Sequence, residues 1–317
     1  MSFSGKIKEE LLSSGSSARH CQIAELAAIV QFGGRMELQG QERVLKIQTE
    51  NRIVAKRGAA LWKKTIGSSA DLTVRYHPAQ KGGMTYLLYG SQEESLHRLI
   101  EMLKIDASSF ASGKGSYVTD ARLLRSSCCK RAFLRGAYLS VGSMSDPEKS
   151  YHLELVCSQM QQAVQLVGLM QDFGLEAKMV QRKKYHVVYL KEGEHISDFL
   201  NIIEAHQGMM EFENTRIVKD MRGMVNRKVN CEIANINKTV SAAARQLSAI
   251  KYIKEHGGLN QLSDQLREMA TVRLENPESS LEELGKLLDP PVGKSGVNHR
   301  LRKINEYAET IGHDTPK

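Results

Sequence analysis

Residues 133–143 read FLRGAYLSVGS, and a second stretch, LAAIVQFGG at Leu26 to Gly34, carries small residues at the same helical spacing. Glycine inside a helix costs roughly 1 kcal/mol against alanine, so Gly136, Ala137, Ser140 and Gly142 imply that something comes close to that surface. Aligning LAAIVQFGG with LRGAYLSVG, Leu134 to Gly142, places the two stretches 108 residues apart. The same offset relates two alternating segments. VLKIQTE puts Leu45 and Ile47 on one strand face, and YHLELVC does the same with Leu153 and Leu155.

Further along, the offset shortens to 100, where SQEESLHRLIEML matches KEGEHISDFLNII. Leu96, Leu99, Ile100 and Leu103 correspond to Ile196, Phe199, Leu200 and Ile203, the apolar face of an amphipathic helix. A longer loop at HPAQKGG, His77 to Gly83, is expected to absorb much of the difference. Each copy reads helix, strand, strand, helix, strand, strand, helix. The later strands are DLTVRY and MTYLLYG in the first copy, LEAKMV and YHVVYL in the second. The middle helices fall near Ile53 to Ile66 and Ser158 to Phe173. The predicted fold is α+β, a duplicated αββαββα domain over residues 1–220, with copies at about 18–110 and 121–210. The small residues then serve a seam where two symmetry-related helices cross backbone to backbone.

LAAIVQFGG and LRGAYLSVG resemble the two signature helices of the LAGLIDADG homing endonucleases, whose element order is the same. The resemblance implies two half-domains forming a saddle that can sit on DNA. Nuclease members hold a divalent metal through an acidic residue at the eighth motif position, because hard cations prefer oxygen ligands. Here the eighth positions are Gly33 and Val141. Neither can bind a metal, so the expected protein is not an enzyme. Of the nearby acids, Glu25 is expected to precede the helix seam, while Glu37, Asp146 and Glu148 lie beyond the motif ends.

After Asp220 the pattern changes. Residues 221–258 read as a helical linker, one long helix or two pieces broken near the Asn-rich part, stopped at Gly257-Gly258, with Arg227, Asn230, Asn235 and Lys238 as candidate nucleic-acid contacts. Residues 259–317 read as an all-α helix-turn-helix domain. One helix ends before Pro277. Ser280 and Glu283 form a capping box for LEELGKLLD, two prolines break the chain, and Ser295 is expected to cap GVNHRLRKINEYAETI. Val297, Leu301, Ile304, Ala308 and Ile311 make one apolar stripe of that last helix. Ser295, Asn298, His299, Arg302 and Lys303 are its expected DNA-reading residues, since Asn pairs bidentately with adenine and Arg with guanine. Lys294 and Arg300, with Arg131, Arg135, Lys63 and Lys64 of the duplicated domain, are expected phosphate contacts. Lys56, Arg57, Arg122, Arg125 and Lys130 are further candidates.

A degenerate LAGLIDADG duplication followed by a helix-turn-helix is similar to the WhiA family of bacterial DNA-binding proteins. The likeness rests on MSFSGKIKEEL, ELAAIVQFGG, CCKRAFLRGAYLSVGSMSDPEKSYHLE, NRKVNCEIANINKT and LGKLLDPPVGKSGVNHRLRKI, and it covers essentially the whole chain. It implies a non-enzymatic regulator of transcription tied to sporulation, or to cell division and chromosome segregation. Double-stranded DNA is the expected partner, with a transcription or division protein as a second. Rival functions are a protein-binding scaffold and an active homing endonuclease.

Composition agrees with a polyanionic partner. Among 317 residues, 44 Lys and Arg against 36 Asp and Glu give a formal charge of +8. The first residues, MSFSGKIKEELL, lack the apolar run of a signal peptide, and no window approaches a membrane span, so a cytoplasmic, nucleoid-associated protein is expected. No membrane, small-molecule substrate or cofactor is expected. The five cysteines, Cys21, Cys128, Cys129, Cys157 and Cys231, are odd in number and lack CxxC spacing. Reduced, mostly buried thiols are expected, with neither a disulfide framework nor a metal site.

Overall fold

The computed structural model describes residues 1–39, 42–77, 83–90, 93–105 and 118–313. The chain divides into two compact units, Met1–Asp220 and Met221–Lys317.

In the first unit the repeat is realised element by element. The first copy runs α2 (Arg19–Gly33), β1 (Gly34–Gln39), β2 (Glu42–Thr49), α3 (Arg52–Ile66), β3 (Asp71–His77), β4 (Gly83–Gly90) and α4 (Glu93–Leu103). The second runs α5 (Ser127–Val141), β5 (Gly142–Met144), β6 (Leu153–Cys157), α6 (Met160–Gln171), β7 (Lys178–Arg182), β8 (Tyr185–Leu190) and α7 (Gly193–Ile202). Each copy folds its strands into one antiparallel sheet, ordered β1-β2-β4-β3 and β5-β6-β8-β7. The registers correspond: Gly34 pairs with Ile47, and Gly142 with Leu155, both members 108 residues on. The offset is still 107 where β3 and β7 begin, at Asp71 and Lys178, but 100 at their partners Tyr89 and Tyr189. The β3–β4 hairpin therefore absorbs nearly all of the shortening. Residues 78–82 at its tip lie outside the described residues, as does the expected end of the first copy near 110.

The seam explains Gly136, whereas Gly34 and Gly142 open β1 and β5 where a Cβ would meet Val30 and Tyr138 of the preceding helix. α2 and α5 pack along their length, and Ala28 and Gly136, themselves 108 apart, meet on the pseudo-twofold axis. A Cβ on Gly136 would lie 2.5 Å from the Glu25 carbonyl oxygen and 2.9 Å from the Ala28 Cβ, so only hydrogen fits. Around this crossing one core includes Leu26, Ile29, Phe133, Leu134, the strand residues Leu45, Ile47, Leu153 and Leu155, and the helix residues Leu99 and Phe199.

One helix lies outside the repeat. α1 (Phe3–Ser13) buries Phe3, Ile7 and Leu11 against this core. Its Glu10 accepts hydrogen bonds from Gln207 N (2.8 Å) and Gly208 N (2.9 Å), capping the first turn of α8 (His206–Glu255) with a negative charge. α8 is one unbroken 50-residue helix, so of the two readings of this segment the continuous helix holds. Asn is only a weaker helix former, and the segment contains no proline. The helix begins at His206 and ends at Glu255, where Gly257 takes a left-handed φ of 69°.

The second unit has its own core. Ile250 and Ile253 from the end of α8 pack with Met269 and Ala270 of α9 (Asp264–Glu275), Leu284 of α10 (Leu281–Lys286), and Val297, Leu301, Ile304 and Ala308 of α11 (Lys294–His313).

Candidate nucleic-acid interface

α10 starts with the expected capping box. Glu283 N donates to Ser280 Oγ (3.3 Å), and Ser280 N donates to Glu283 Oε2 (2.8 Å). These bonds hold the Glu283 carboxyl below its ordinary range. The chain then turns through residues 287–293, with Val292 N bonding back to Gly285 O at 2.9 Å, and enters α11. That helix begins at Lys294, so Ser295 sits in the first turn instead of capping it.

The apolar stripe of α11 is seated in the core, which fixes what faces outward. Val297, Leu301, Ile304 and Ala308 are buried, and Ile311 packs against them partly buried. Lys294, Ser295, Asn298, His299, Arg302 and Lys303 are all exposed. Ser295, Asn298, His299 and Arg302 fall at i, i+3, i+4 and i+7, one continuous face beginning at the N-terminal turn. Arg302 Nε lies 3.3 Å from Glu306 Oε1 on the same helix, an exposed pair of small energetic weight. Arg300 departs from expectation. It is half-buried and turned toward α9, its Nη1 3.9 Å from Glu268 Oε2, so it is poorly placed to meet a phosphate.

In α8, Arg227, Asn230, Asn235 and Lys238 are all exposed. At about 100° per residue they occupy one side of the helix. The exposed Val225, Val229, Ile233, Ile236 and Val240 occupy the other.

The basic residues proposed for the duplicated domain fare unevenly. Arg135 is buried, 1% exposed, and bonded to Glu25 Oε2 (3.1 Å) and Glu204 Oε2 (2.7 Å). Arg57 grips Glu25 through both Nε (2.6 Å) and Nη2 (2.9 Å). Both are structural and neither reaches a phosphate. Glu25 itself lies within the seam, six residues beyond the first residue of α2 and with its carbonyl against Gly136, and not ahead of it as expected. Lys130 pairs with Asp172 at 2.6 Å, and Arg122 with Asp120 at 2.6 Å, which holds the Asp120 carboxyl down at about 2. Arg131 is half-buried over the Phe173 ring, 5.6 Å from its centre. Lys56, Lys63, Lys64 and Arg125 are exposed, the first three on α3 in the helix layer.

Strand alternation identifies basic residues that the sequence reading overlooked. Lys46 stands between the buried Leu45 and Ile47 and pairs with Arg35 across β1 and β2, so both point to the sheet face away from the helices. By the same alternation Arg75, Lys178 and Arg182 lie on the faces away from the helices. Their signal was the period-2 pattern already used for the core.

Gly33 and Val141 are the last residues of α2 and α5. They line a cleft with Gln48, Asn51, Ser140 and Tyr185, in which Glu50 is the one acidic lining residue. This donor set does not fit a hard divalent cation, which needs converging carboxylates.

Cys21, Cys129 and Cys157 are buried, Cys128 and Cys231 are exposed, and all five are free thiols. Spacing along the chain misses a convergence in space: His20, Cys21, Cys128 and Cys129 place their ligand atoms within 4.8 Å of one another.

The fold and its exposed last helix define a class: a duplicated LAGLIDADG-like domain joined to a helix-turn-helix domain. Family models match in the same order, the WhiA N-terminal LAGLIDADG-like domain at residues 19–105, the WhiA LAGLIDADG-like domain at 130–222 and the WhiA C-terminal HTH domain at 225–308. The probable cell division protein WhiA of Lachnoclostridium phytofermentans is 45% identical over 312 residues, covering 98% of this chain and 99% of its own. That of Alkaliphilus oremlandii is 46% identical over 316 residues, covering 98% of each chain. The full-length DUF199/WhiA crystal structure from Thermotoga maritima superposes with a TM-score of 0.58 at 28% identity, covering 98% of this chain and 99% of that one. The chain belongs to the WhiA family.

Proposed function

We propose that this protein is a non-catalytic, sequence-specific reader of double-stranded DNA and a transcriptional regulator acting at the nucleoid. The observation that carries this reading is the exposed face of α11, whose Ser295, Asn298, His299 and Arg302 stand opposite its buried stripe. An α-helix fits the major groove, where Asn and Arg discriminate bases by roughly 1 to 3 kcal/mol per good pair. Lys294 and Lys303 flank that face and contribute charge that is indifferent to sequence. Lys63, Lys64 and Arg131 remain secondary phosphate candidates, and Arg227, Asn230, Asn235 and Lys238 line up for a backbone. The relatives' name supports a role in cell division, and the family resemblance extends it to sporulation and chromosome segregation. Loss of both eighth-position acids, at Gly33 and Val141, argues against cleavage.

The deciding experiment is capture of genomic DNA by the intact protein in magnesium, compared with Arg302→Ala, with the recovered DNA checked for cuts. A few intact promoters, enriched by the parent and lost in the variant, are expected. Cleaved DNA would overturn the non-catalytic reading. Unselective binding indifferent to Arg302→Ala would favour the scaffold reading. Deleting residues 222–317 separates these further, since a scaffold seated on the duplicated domain keeps its partner.

A further inference from the structure

The duplication joins four metal-binding side chains that come from separate copies. His20 and Cys21 lie in the first turn of α2, and Cys128 and Cys129 lie in the first turn of α5 at the same offset of 108. His20 Nδ1 is 3.2 Å from Cys129 Sγ, 3.3 Å from Cys21 Sγ and 4.0 Å from Cys128 Sγ. We propose that His20, Cys21, Cys128 and Cys129 form a tetrahedral Zn(II) site that fastens the N-terminal ends of the two seam helices.

Geometry favours zinc. Zn–S bonds of about 2.3 Å and Zn–N bonds of about 2.0 Å set N–S edges of roughly 3.5 Å in a tetrahedron, and the three N–S separations of 3.2, 3.3 and 4.0 Å bracket that length. Three thiolates and one imidazole complete the coordination shell, which leaves no position for a reacting water and makes the site structural. Burial alternates the same way in both copies. Cys21 and Cys129 are buried and held by the helix packing, while His20 and Cys128 are exposed and leave a path from solvent. Both helices also direct their positive N-terminal ends at the cluster, which favours thiolates. Loading Zn(II) releases three thiol protons and leaves a net charge of −1 on the centre.

The test uses tag-free, full-length protein. Elemental analysis is expected to find about one zinc per chain, and Co(II) exchange to give the intense visible bands of a tetrahedral thiolate site. Cys128→Ser and His20→Ala alter exposed positions and should retain the parent's circular dichroism. After equal exposure to chelator they should hold at least about tenfold less zinc. His20→Cys, which supplies a fourth thiolate, should keep it, and Cys231→Ser should change nothing. Parent protein with less than about 0.1 zinc per chain would overturn the proposal. So would zinc content indifferent to both Cys128→Ser and His20→Ala, or the recovery of iron or a disulfide in place of zinc.

Discussion

At the scale of single residues, the seam offers the sharpest tests. Gly136→Ala forces a methyl against the Glu25 carbonyl and should lower stability by about 1 to 3 kcal/mol, read from the urea midpoint. Glu25→Ala removes the buried carboxylate that Arg57 and Arg135 share, leaving Arg135 with Glu204 and Arg57 with the Leu12 carbonyl, and should cost about 3 kcal/mol in the same measurement. Lys8 gives a pH test. Burial pushes its ammonium down to about 8, with the Tyr138 ring centre 5.7 Å away. The unfolded chain therefore binds the proton more tightly, and stability should rise from about pH 8 to the ordinary lysine range. Lys8→Met should flatten that rise in unfolding measured at successive pH values. Gly136 was legible in the sequence because smallness at helical spacing is itself a pattern. The Glu25–Arg57–Arg135 cluster was not, since residues 32 and 110 positions apart share no period, and a buried arginine looks like a surface one until its neighbours are known.

At the scale of elements, local chemistry was the best guide. Ser280 and Glu283 announced α10 through spacing alone. Ser280→Ala should cost about 1 kcal/mol, with faster amide exchange confined to that helix and the turn after it. On α11, Lys294→Ala and Lys303→Ala should weaken binding to all DNA sequences alike, each reducing the slope against log salt by about 1, whereas Asn298→Ala should relax preference at one base pair. Where elements were misread, tertiary structure had prevailed. β7 ends at Arg182, two residues past the expected strand, because pairing with β8 fixes its limits and not its apolar content. α1 was overlooked as an element because a lone amphipathic helix outside a repeat has no second copy to confirm it. His20 and the cysteine pairs escaped for a related reason: ligand spacing is searched along one segment, and here it spans two.

At the scale of the molecule, the two cores share no residues, one being built around the α2–α5 crossing and the other around α11. Unfolding of the intact chain should therefore show two transitions. Gly136→Ala is expected to move only one, and Leu301→Ala, which opens a cavity worth about 2 to 5 kcal/mol, only the other. The domain order was legible because the duplication recurs at one offset, while the last helices carry a capping box and a single apolar stripe. The crossing carries a last consequence. The counterparts of Glu25 and Arg135 at the offset of 108 are Phe133 and Ala27, so this buried ion pair occurs once and has no mirror across the axis. A protein built from two first copies would bury glutamates opposite alanines, and one built from two second copies would bury arginines with no carboxylate from the facing helix. The halves have stopped being twins and become lock and key, each able to recognise the other and neither able to replace it.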